Sequence, residues 1–500
     1  MFLKVLEGSL RETPSAVREE AFKKFSSTYS YTAKEIVMYS SPFDTVAAVS
    51  TPYGKGGVAV IRVSGDSAVV IAERIFRPVG GRALSEHAPR TAVYGEIMDP
   101  REPERVLDDA LCTVFCAPHS FTGEDTVEIA CHGGVLVTRH VLEACFTAGA
   151  RQATAGEFTR RAYLNGKLDM EKAEALGNLL DAGNDEQLRL ARAGMGGLLT
   201  ARADALYADL CGVMANMEAG IDFPEEDLTE MTRDELRAAV LDASREIDAL
   251  AATYRTGHAI AEGVPTVICG RPNVGKSAFY NRLVGREAAI VTDVAGTTRD
   301  VLTDTVSLGR VTLRLSDTAG LRESDDPVEQ IGISRARRAV EDAELVLALF
   351  DPHAPSDEDE TFMRDLAAAG KTVIRVYTKR DLDGASPAAI PAEDSIPTVY
   401  LSSVTGEGFD ALREAVEAAF IDGDLRMGEE AVVFSARQSA TLSAVSRSLA
   451  TAAFNLDTDL PYDICADDIR EALSSLGELC GREMREDVIT EIFSRFCVGK

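Results

Sequence analysis

The sequence predicts a multidomain α/β protein, in which an α+β domain comes first and a helical domain is interrupted by an inserted α/β domain. Helix-period apolar patterns lie on both sides of a central region whose apolar runs are short and strand-like. Within that region, residues 270–277 form a Gly-rich loop between a strand and a helical run. One helical domain with an insertion whose ends lie close together is the economical explanation.

These patterns divide the 500 residues into five predicted segments. Residues 1–42 carry mixed charge and form an N-terminal extension, because a transit peptide would be poor in acidic residues. The other predicted segments are an α+β domain over 43–163, the first part of the helical domain over 164–263, the inserted domain over 264–420 and the second helical part over 421–500.

The composition excludes several classes of protein. A net charge of −29 argues against a large nucleic-acid-binding face, although a local basic patch or a basic partner would still recruit RNA. The nine cysteines form no C-x-x-C pair, so neither a zinc site nor a disulfide framework is predicted, and a reducing cytoplasm fits. No apolar stretch of about 18 residues exists, so no membrane association is expected.

The α+β domain is predicted from short apolar runs separated by turn residues. Strands are expected at 45–50, 58–63, 110–115 and 126–130, with a helix at 67–76.

Two loops of this domain have a second interpretation. The loop at 53–57 is Gly-rich but lacks a lysine-serine ending and a following helix, so a turn is favoured over a phosphate cradle. Residues 131–134, Cys-His-Gly-Gly, would suit a metal or a nucleophile. Without a second ligand cluster nearby, a strand-to-helix turn is favoured there too.

The helical domain is predicted from an apolar stripe that steps by three and four residues and packs in a bundle core. Its members are Leu236, Val240, Ala243, Ile247, Leu250 and Tyr254. Pro224 breaks the helices within residues 221–226, residues 421–430 are a charged linker, and helices resume from residue 434.

The inserted domain begins with a phosphate-binding loop. Residues 270–277 fit G-x-x-x-x-G-K-[ST], between an apolar strand at 266–269 and a helical run at 278–283. Backbone N–H groups of such a loop point at phosphate oxygens. Lys276 would reach the β- and γ-phosphates, and the Ser277 hydroxyl would ligate Mg²⁺.

A second motif follows the strand predicted at 311–315. Residues 317–320 read Asp-Thr-Ala-Gly, in which Asp317 would hold Mg²⁺ through water and the Gly320 N–H would meet a γ-phosphate. Residues 297–298, Thr-Thr, lie between the two motifs and would complete the Mg²⁺ shell.

Two further motifs indicate guanine. Thr378-Lys-Arg-Asp381 follows a strand at 373–377, and Asp381 would accept hydrogen bonds from the N1–H and N2–H₂ edge of guanine. Ser402 and Ser403 follow the next strand and would close over the base. Because such loops usually begin with asparagine, Thr378 predicts retained guanine selectivity with weaker affinity. Four motifs in this order predict a GTPase.

The residue that positions the attacking water is left open by these motifs. Leu321 stands where Ras-like GTPases place a glutamine, and leucine neither donates nor accepts a hydrogen bond. Glu323 and Glu329 are the alternatives, and no arginine finger is assigned.

Several features together resemble the MnmE (TrmE) family of tRNA-modification GTPases, over about residues 43–500. They are Asn273 in the phosphate loop, residues 292–300, residues 317–323 and the terminal Cys-Val-Gly-Lys of residues 497–500. Other bacterial GTPases share the nucleotide motifs, whereas the terminus and the inserted arrangement are more specific to this family.

The resemblance implies an α+β tetrahydrofolate-binding domain that also dimerises, a helical domain and an inserted Ras-like P-loop GTPase domain. It implies a homodimer that acts with the FAD-dependent MnmG protein in a heterotetramer. Together they would add a carboxymethylaminomethyl-type group to C5 of wobble uridine, position 34, of certain tRNAs. The one-carbon unit would come from 5-formyl- or 5,10-methylene-tetrahydrofolate. A ribosome-assembly or regulatory switch GTPase is the alternative, and a folate-dependent transferase acting without the partner is a third reading.

The resemblance also assigns site residues. Glu329 resembles the glutamate that positions water, and Ser277 and Thr298 match Mg²⁺ ligands. The predicted K⁺ ligands, whose ion is organised when two GTPase domains meet, are Asn273, Thr292, Val294 and Thr297. The predicted GTP-binding residues are Asn273, Val274, Gly275, Lys276, Ser277, Ala278, Thr292, Asp293, Val294, Ala295, Gly296, Thr297, Thr298, Asp317, Thr318, Ala319, Gly320, Thr378, Lys379, Asp381, Ser402 and Ser403.

The folate positions implied by the resemblance are Arg62, Glu128, Lys167 and Lys500. A carboxylate suits the amidine-like edge of a pterin, and cations suit the carboxylates of a folate tail. Cys497 resembles the family's terminal cysteine, for which a role near the one-carbon group and simple packing are both open.

Overall fold

A computed structural model describes residues 44–222, 231–287, 304–316, 340–353, 370–382 and 396–500, except 424, 427, 459 and 483–485, together with 361, 363, 365 and 366. Two compact units divide these residues. One contains the described residues up to Lys167 together with Phe496–Lys500, and the other contains Leu168–Arg495.

The first unit is built on a seven-stranded sheet, counted over its described residues, in the order β3-β4-β5-β6-β2-β1-β7. The strands are β1 (Val46–Val49), β2 (Val58–Ser64), β3 (Phe76–Pro78), β4 (Ala92–Asp99), β5 (Glu102–Phe115), β6 (Thr126–His132) and β7 (Arg151–Gln152). The helices are α1 (Ala68–Ile75), α2 (Val135–Thr147) and α3 (Glu157–Leu164). β7 pairs with β1 in parallel and the other neighbours are antiparallel.

Alternation along the strands gives this sheet two different faces. Ile61 of β2 and Ile129 of β6 point into a core that α1 and α2 cover. The alternate residues of these two strands, including Arg62 and Glu128, lie on the opposite face of the sheet. Phe158 of α3 packs in a smaller cluster on that face. The strands predicted at 45–50, 58–63 and 126–130 and the helix predicted at 67–76 are confirmed with small shifts of their ends. The strand predicted at 110–115 is the last part of a longer strand, β5, that begins at Glu102.

The C-terminal segment Phe496–Lys500 groups with the first unit, whereas the predicted helical segment 421–500 included it. Backbone contacts are the physical reason. Val498 forms a bridge with Ala155, and the N–H of Phe158 donates to the carbonyl of Lys500 at 3.1 Å. Gly499 has φ 101°, and a Cβ there would lie 2.0 Å from a backbone oxygen of β1, so the segment fits closely.

The second unit contains a helical bundle drawn from both sides of the insertion. Its helices are α4 (Met170–Asp181), α5 (Asp185–Met195), α6 (Leu198–Asp222), α7 (Arg233–Ala252), α8 (Tyr254–Ala261), α11 (Ala436–Asp457), α12 (Tyr462–Leu479) and α13 (Glu486–Ser494). The predicted stripe on α7 is confirmed: its five members up to Leu250 are buried with residues of α6, α11 and α12, and Tyr254 packs beside them. The predicted break at 221–226 meets the end of α6, and residues 223–230 lie outside the described part.

Local sequence explains where two of these helices begin. Thr232 and Glu235 form a capping box at α7, and Ser435 and Gln438 form another at α11. The chain leaves and re-enters the bundle at one place, because the N–H of Val433 donates to the Thr253 hydroxyl at 2.9 Å.

The inserted domain has a six-stranded sheet over its described residues, in the order β13-β12-β11-β8-β10-β9. Its elements are β8 (Val264–Gly270), α9 (Lys276–Glu287), β9 (Asp304–Leu308), β10 (Val311–Leu315), β11 (Leu345–Phe350), β12 (Thr372–Tyr377), β13 (Thr398–Tyr400) and α10 (Phe409–Phe420). All strands are parallel except β9. The carboxyl ends of β8, β11, β12 and β13 therefore share one edge, which is where open α/β sheets bind ligands.

Candidate functional site

The phosphate-binding loop joins β8 to α9 at that edge. Gly270 (φ 149°) and Gly275 (φ 98°) hold backbone conformations that favour glycine, and Asn273 between them is left-handed at φ 63°. A Cβ on Gly270 would lie 2.4 Å from the carbonyl oxygen of Leu349, so only glycine fits beside β11. The backbone path of this loop therefore requires the two glycines of the motif.

Lys276 opens α9 and reaches back over the loop. Its Nζ donates to the carbonyls of Gly270 and Arg271, both at 2.9 Å. Burial lowers the pKa of Lys276, although the nearby Cys269 acts in the other direction. The hydroxyl of Ser277, the next residue, is an oxygen donor of the type Mg²⁺ accepts, so the residues present fit a nucleotide with its metal.

The loops after β12 and β13 meet at the same edge. The Ser402 hydroxyl donates to Oδ1 of Asp381 at 2.5 Å and accepts the N–H groups of Val404 and Thr405. Asp381 is thereby oriented by the neighbouring loop. The buried hydroxyl of Ser403 has no hydrogen-bond partner in the described structure, which fits a site completed by a ligand's polar edge.

Thr378 and Lys379 connect the loop after β12 to the two neighbouring loops at this edge. The Thr378 hydroxyl donates to the carbonyl of Val274 in the phosphate loop at 2.6 Å. Lys379 Nζ pairs with Asp351, which follows β11, at 2.6 Å. Burial would raise the pKa of Asp351, but the hydrogen bonds from Lys379 and the His353 N–H outweigh it and lower that pKa.

The structure thus brings together the predicted residues of the phosphate and guanine loops. The predicted residues that lie outside the described part are Thr292, Asp293, Val294, Ala295, Gly296, Thr297, Thr298, Asp317, Thr318, Ala319, Gly320, Leu321, Glu323 and Glu329. Among the described side chains, no three His, Cys, Asp or Glu residues cluster in a way that would hold a metal ion.

A second constellation lies on the open face of the N-terminal sheet. Arg62 and Glu128 are register partners on β2 and β6, and their side chains form an ion pair at 2.7 Å. The Arg62 guanidinium lies 5.2 Å from the ring centre of Phe121 and 5.6 Å from that of Phe158. The family resemblance indicated Arg62 and Glu128 as separate positions, and it indicated neither their pairing nor the two aromatic rings. An aromatic residue in the loop before β6 was the available signal for Phe121.

The other predicted folate residues contact segments that carry the two aromatic rings. Lys167 Nζ donates to the carbonyl of Pro118 at 3.0 Å, in the loop that carries Phe121. Lys500 is joined through its backbone carbonyl to Phe158. Cys497 is exposed, and its carbonyl accepts the N–H of Gly156.

The same unit contains a cluster of charged side chains that the sequence did not predict, of which Arg161 and Glu157 are buried. Arg161 donates to Asp44, Glu124 and Glu157 at 2.7, 3.1 and 2.9 Å. Arg151 binds Asp44 and Glu157 at 2.6 Å each. The cluster fixes the first residue of α3 against the start of β1, and so holds Phe158 in place.

Two doubtful motifs of this unit prove to be turns. His132 ends β6 and Gly134 caps α2, so residues 131–134 form the predicted strand-to-helix turn. The loop at 53–57 connects the antiparallel neighbours β1 and β2, as the predicted turn would, and the N–H of Gly56 donates to the carbonyl of Gly133. The His132 ring lies 2.7 Å from Asp108, whose hydrogen bond raises the pKa of that imidazole.

A phosphate loop continued by Lys276 and Ser277, at the same sheet edge as an aspartate oriented by Ser402, has the arrangement of a P-loop GTPase. A family model described as "MnmE helical domain" matches residues 170–497, and one described as "GTP-binding protein TrmE N-terminus" matches residues 45–167. The chain therefore belongs to the MnmE (TrmE) family of tRNA modification GTPases.

Relatives of full length support this assignment. The "tRNA modification GTPase MnmE" of Symbiobacterium thermophilum is 43% identical over 460 residues, which cover 91% of this chain and 99% of that protein. The protein of the same name from Bacillus subtilis is 38% identical and covers 91% of this chain and 100% of its own length. The solved G domain of T. maritima FeoB is 29% identical, covers 31% of this chain and 97% of that one, and superposes with a TM-score of 0.24.

None of the helices in the described residues is long and apolar enough to span a bilayer.

Proposed function

We propose that this GTPase works in the cytoplasm on tRNA, with the FAD-dependent MnmG protein, to add a carboxymethylaminomethyl-type group to C5 of wobble uridine. A tetrahydrofolate derivative supplies the one-carbon unit, and GTP hydrolysis, accelerated by K⁺ when two GTPase domains pair, drives the cycle. Membership of the MnmE family favours this function over a ribosome-assembly or regulatory switch GTPase.

The Arg62–Glu128 pair is the observation that carries the folate part of the proposal. The Glu128 side chain is 32% exposed, and its carboxylate offers an acceptor for the amidine-like edge of a pterin. Phe121 is 37% exposed and offers a ring face beside the pair. Lys167 and Lys500 supply cations for a folate tail, and the fit of all four residues supports a folate site on this face.

Titration with 5-formyltetrahydrofolate tests the site. We expect the unchanged chain to bind it and Glu128→Gln to weaken binding about tenfold or more, since a hydrogen bond to a charged acceptor is lost. Glu102→Gln, at the exposed start of β5 in the same sheet, is the matched control and keeps the affinity. GTP turnover of Glu128→Gln stays unchanged. Absence of folate binding by the unchanged chain would favour the switch GTPase.

Several residues of the nucleotide site offer oxygen atoms of the kind that K⁺ and Mg²⁺ bind. Asn273 offers an amide oxygen at the exposed left-handed position of the phosphate loop, and we propose it as a K⁺ ligand with Thr292, Val294 and Thr297. A bound K⁺ would offset negative charge developing on the phosphates, as an arginine finger does in other GTPases. Ser277 and Thr298 are proposed for Mg²⁺, and Glu329 for positioning water.

Salt substitution tests this arrangement. We expect GTP turnover to be higher in KCl than in NaCl at equal ionic strength, and Asn273→Ala to remove most of the difference. Glu329→Ala should bind nucleotide and hydrolyse it at least about a hundredfold more slowly, since it removes a water-positioning group. Glu323→Ala is its control. Equal rates in both salts would refute the role of K⁺.

The open sheet face also supports a homodimer through the N-terminal unit, from which a heterotetramer with MnmG would be assembled. Tyr94, Leu111, Ala130 and Val60 form one row across β4, β5, β6 and β2. Tyr94 is 52% and Leu111 45% exposed, which is unusual for large apolar residues side by side.

Sedimentation velocity tests this dimer. We expect the unchanged chain to sediment as a dimer and Leu111→Glu, which places a charge in that row, to shift it towards monomer. Leu188→Glu, at a similarly exposed leucine of α5, should leave the dimer intact. A dimer that survives Leu111→Glu would move the interface elsewhere.

A further inference from the structure

The loop between β5 and β6, residues 116–125, carries Phe121, whose ring centre lies 5.2 Å from the Arg62 guanidinium. This loop contains only turns and bends, so no strand or helix fixes the ring. Phe121 is also 37% exposed, and packing therefore holds it only in part. Because loops are more mobile than the elements they join, hydrogen bonds of the neighbouring residues must hold the ring beside Arg62.

Thr122, the next residue along the loop, is held on two sides. It is fully buried, and its Oγ1 lies 2.7 Å from the hydroxyl oxygen of Ser64 at the end of β2. Its carbonyl accepts a hydrogen bond at 2.8 Å from the side-chain amide of Asn165, the residue directly after α3. One hydrogen bond joins the loop to the sheet and the other joins it to the end of α3, so the backbone beside Phe121 is fixed at both ends of one residue.

The Glu124 carboxylate sets the direction of the first of these hydrogen bonds. The Ser64 hydroxyl donates to Oε2 of Glu124 at 2.9 Å, and Arg161 Nη1 donates to the same oxygen at 3.1 Å. A hydroxyl has a single hydrogen, so Ser64 accepts the hydrogen bond that Thr122 donates. Replacing the Thr122 hydroxyl by a methyl group would therefore remove a donor for which Ser64 has an acceptor in place.

The second side of the loop fits closely against the residues after α3. Gly123 has φ 80°, and a Cβ there would lie 3.0 Å from the Cβ of Asn165. The Lys167 side chain donates to the carbonyl of Pro118 in the same loop at 3.0 Å. The contact with Asn165 is thus one part of a continuous seat for the loop.

We propose that Thr122 and Asn165 are positioning residues that hold the Phe121 ring against Arg62, so that the aromatic side of the proposed folate site is formed before the ligand binds. The inference rests on the proposed folate site and extends it to residues that the family resemblance does not indicate. Thr122 is fully buried and acts through Phe121. Its contribution is pre-organisation, because a loop that must first be ordered lowers the apparent affinity by the fraction of chains in which it is out of place.

Fluorescence of a single tryptophan tests the position of the ring without any ligand. The chain contains no tryptophan, so Phe121→Trp places one reporter at the ring itself. In that background we expect Thr122→Val and Asn165→Ala to shift the emission to longer wavelength, because the indole leaves its contacts for water. Thr122→Ser keeps the hydroxyl and should leave the emission unshifted. Ser85→Ala, which removes an exposed hydrogen bond to Glu73 in the same unit, is the matched control. Unshifted emission in both Thr122→Val and Asn165→Ala would overturn the proposal.

Titration with 5-formyltetrahydrofolate, in full-length chains that keep Phe121, tests the consequence for binding. Thr122→Val and Asn165→Ala should each weaken binding about fivefold, the scale of one hydrogen bond, and Thr122→Ser should bind as the unchanged chain does. Melting of each ligand-free variant reports on folding. If Thr122→Val does not fold, Asn165→Ala, at an exposed residue, must show both effects.

Two outcomes separate this inference from the folate site on which it rests. Shifted emission with unchanged folate affinity would overturn the positioning role, since the ring would then move without consequence for the ligand. Absence of folate binding by the unchanged chain would refute the proposed folate site and this inference with it. Unshifted emission in a chain that does bind folate would refute this inference alone.

Discussion

The nucleotide site and the Arg62–Glu128 face are built from opposite kinds of β-sheet. The first uses loops at the carboxyl ends of parallel strands, where backbone groups and short motifs meet a ligand. The second uses side chains from the middle of antiparallel strands, brought together by register. A site made of loop ends can be read from contiguous sequence, whereas a site made of register partners cannot.

The two regions also treat charge differently. Lys276 is satisfied by carbonyl oxygens, so its full charge remains for phosphate. In the N-terminal unit Arg62 is neutralised by Glu128, and Arg161 by three carboxylates. A ligand there must compete with partners already in place, and we therefore expect substitutions to have larger catalytic effects in the first region and larger structural effects in the second.

The largest effect is expected at Lys276. Lys276→Ala should lower GTP turnover by about a thousandfold, because the charge that meets the transferred phosphate is lost. The melting temperature should change little. Lys371→Ala is the matched control, since Lys371 also donates to backbone carbonyls but lies at the amino-terminal end of β12. A turnover that falls by less than tenfold in Lys276→Ala would contradict the proposed phosphate contact.

The difference between a site of loop ends and a site of register partners explains which features the sequence predicted. The parallel sheet edge was predicted because each loop there carries its own motif, as at Lys276 and Asp381. The charge cluster around Arg161 was not, because its members lie far apart in sequence and only the fold unites them. β11 was also missed: all six of its residues are buried, so it shows no alternation. The residues 496–500 were assigned to the helical part because nothing in their composition indicates backbone pairing with Ala155 and Phe158.

A structural effect is expected at Glu157, which is 5% exposed and binds two arginines. Glu157→Gln leaves Arg151 and Arg161 less compensated, and removing one partner from a buried ion pair costs about 3 kcal/mol. Hydrogen exchange of β1 and β7 amides should accelerate accordingly, while GTP turnover is kept. Glu491→Gln, in an exposed helical pair with Arg495, is the control and should change exchange very little. Unchanged exchange in Glu157→Gln would show that the cluster is not needed for stability.

A smaller effect is expected from pH at the same residue. Burial would raise the pKa of Glu157, but hydrogen bonds from Arg151, Thr154 and Arg161 outweigh it and lower that pKa to about 2. Because this pKa is lowered, Glu157 stabilises the folded state above the unfolded pKa of about 4.3, and that contribution is lost as the pH falls towards 2. Between pH 5 and pH 3 the unit should lose about 2 kcal/mol from this group.

Glu157→Gln removes the titrating group and is the control for that measurement. The difference in amide exchange between the unchanged chain and Glu157→Gln should shrink from pH 5 to pH 3. A constant difference across this range would contradict the lowered pKa.

The smallest effect is expected at Ser402, within the nucleotide site. Ser402→Ala removes one hydrogen bond to Asp381 and two acceptor contacts to the loop after β13, and should weaken GDP about fivefold, in the range of a single hydrogen bond. The loss should be smaller for IDP, because Asp381 is oriented towards a group that hypoxanthine lacks. Ser443→Ala, at an exposed serine of α11 that donates to a helix carbonyl, should alter neither affinity. Equal losses for GDP and IDP in Ser402→Ala would mean that Ser402 supports the loop conformation and does not orient Asp381 towards the base.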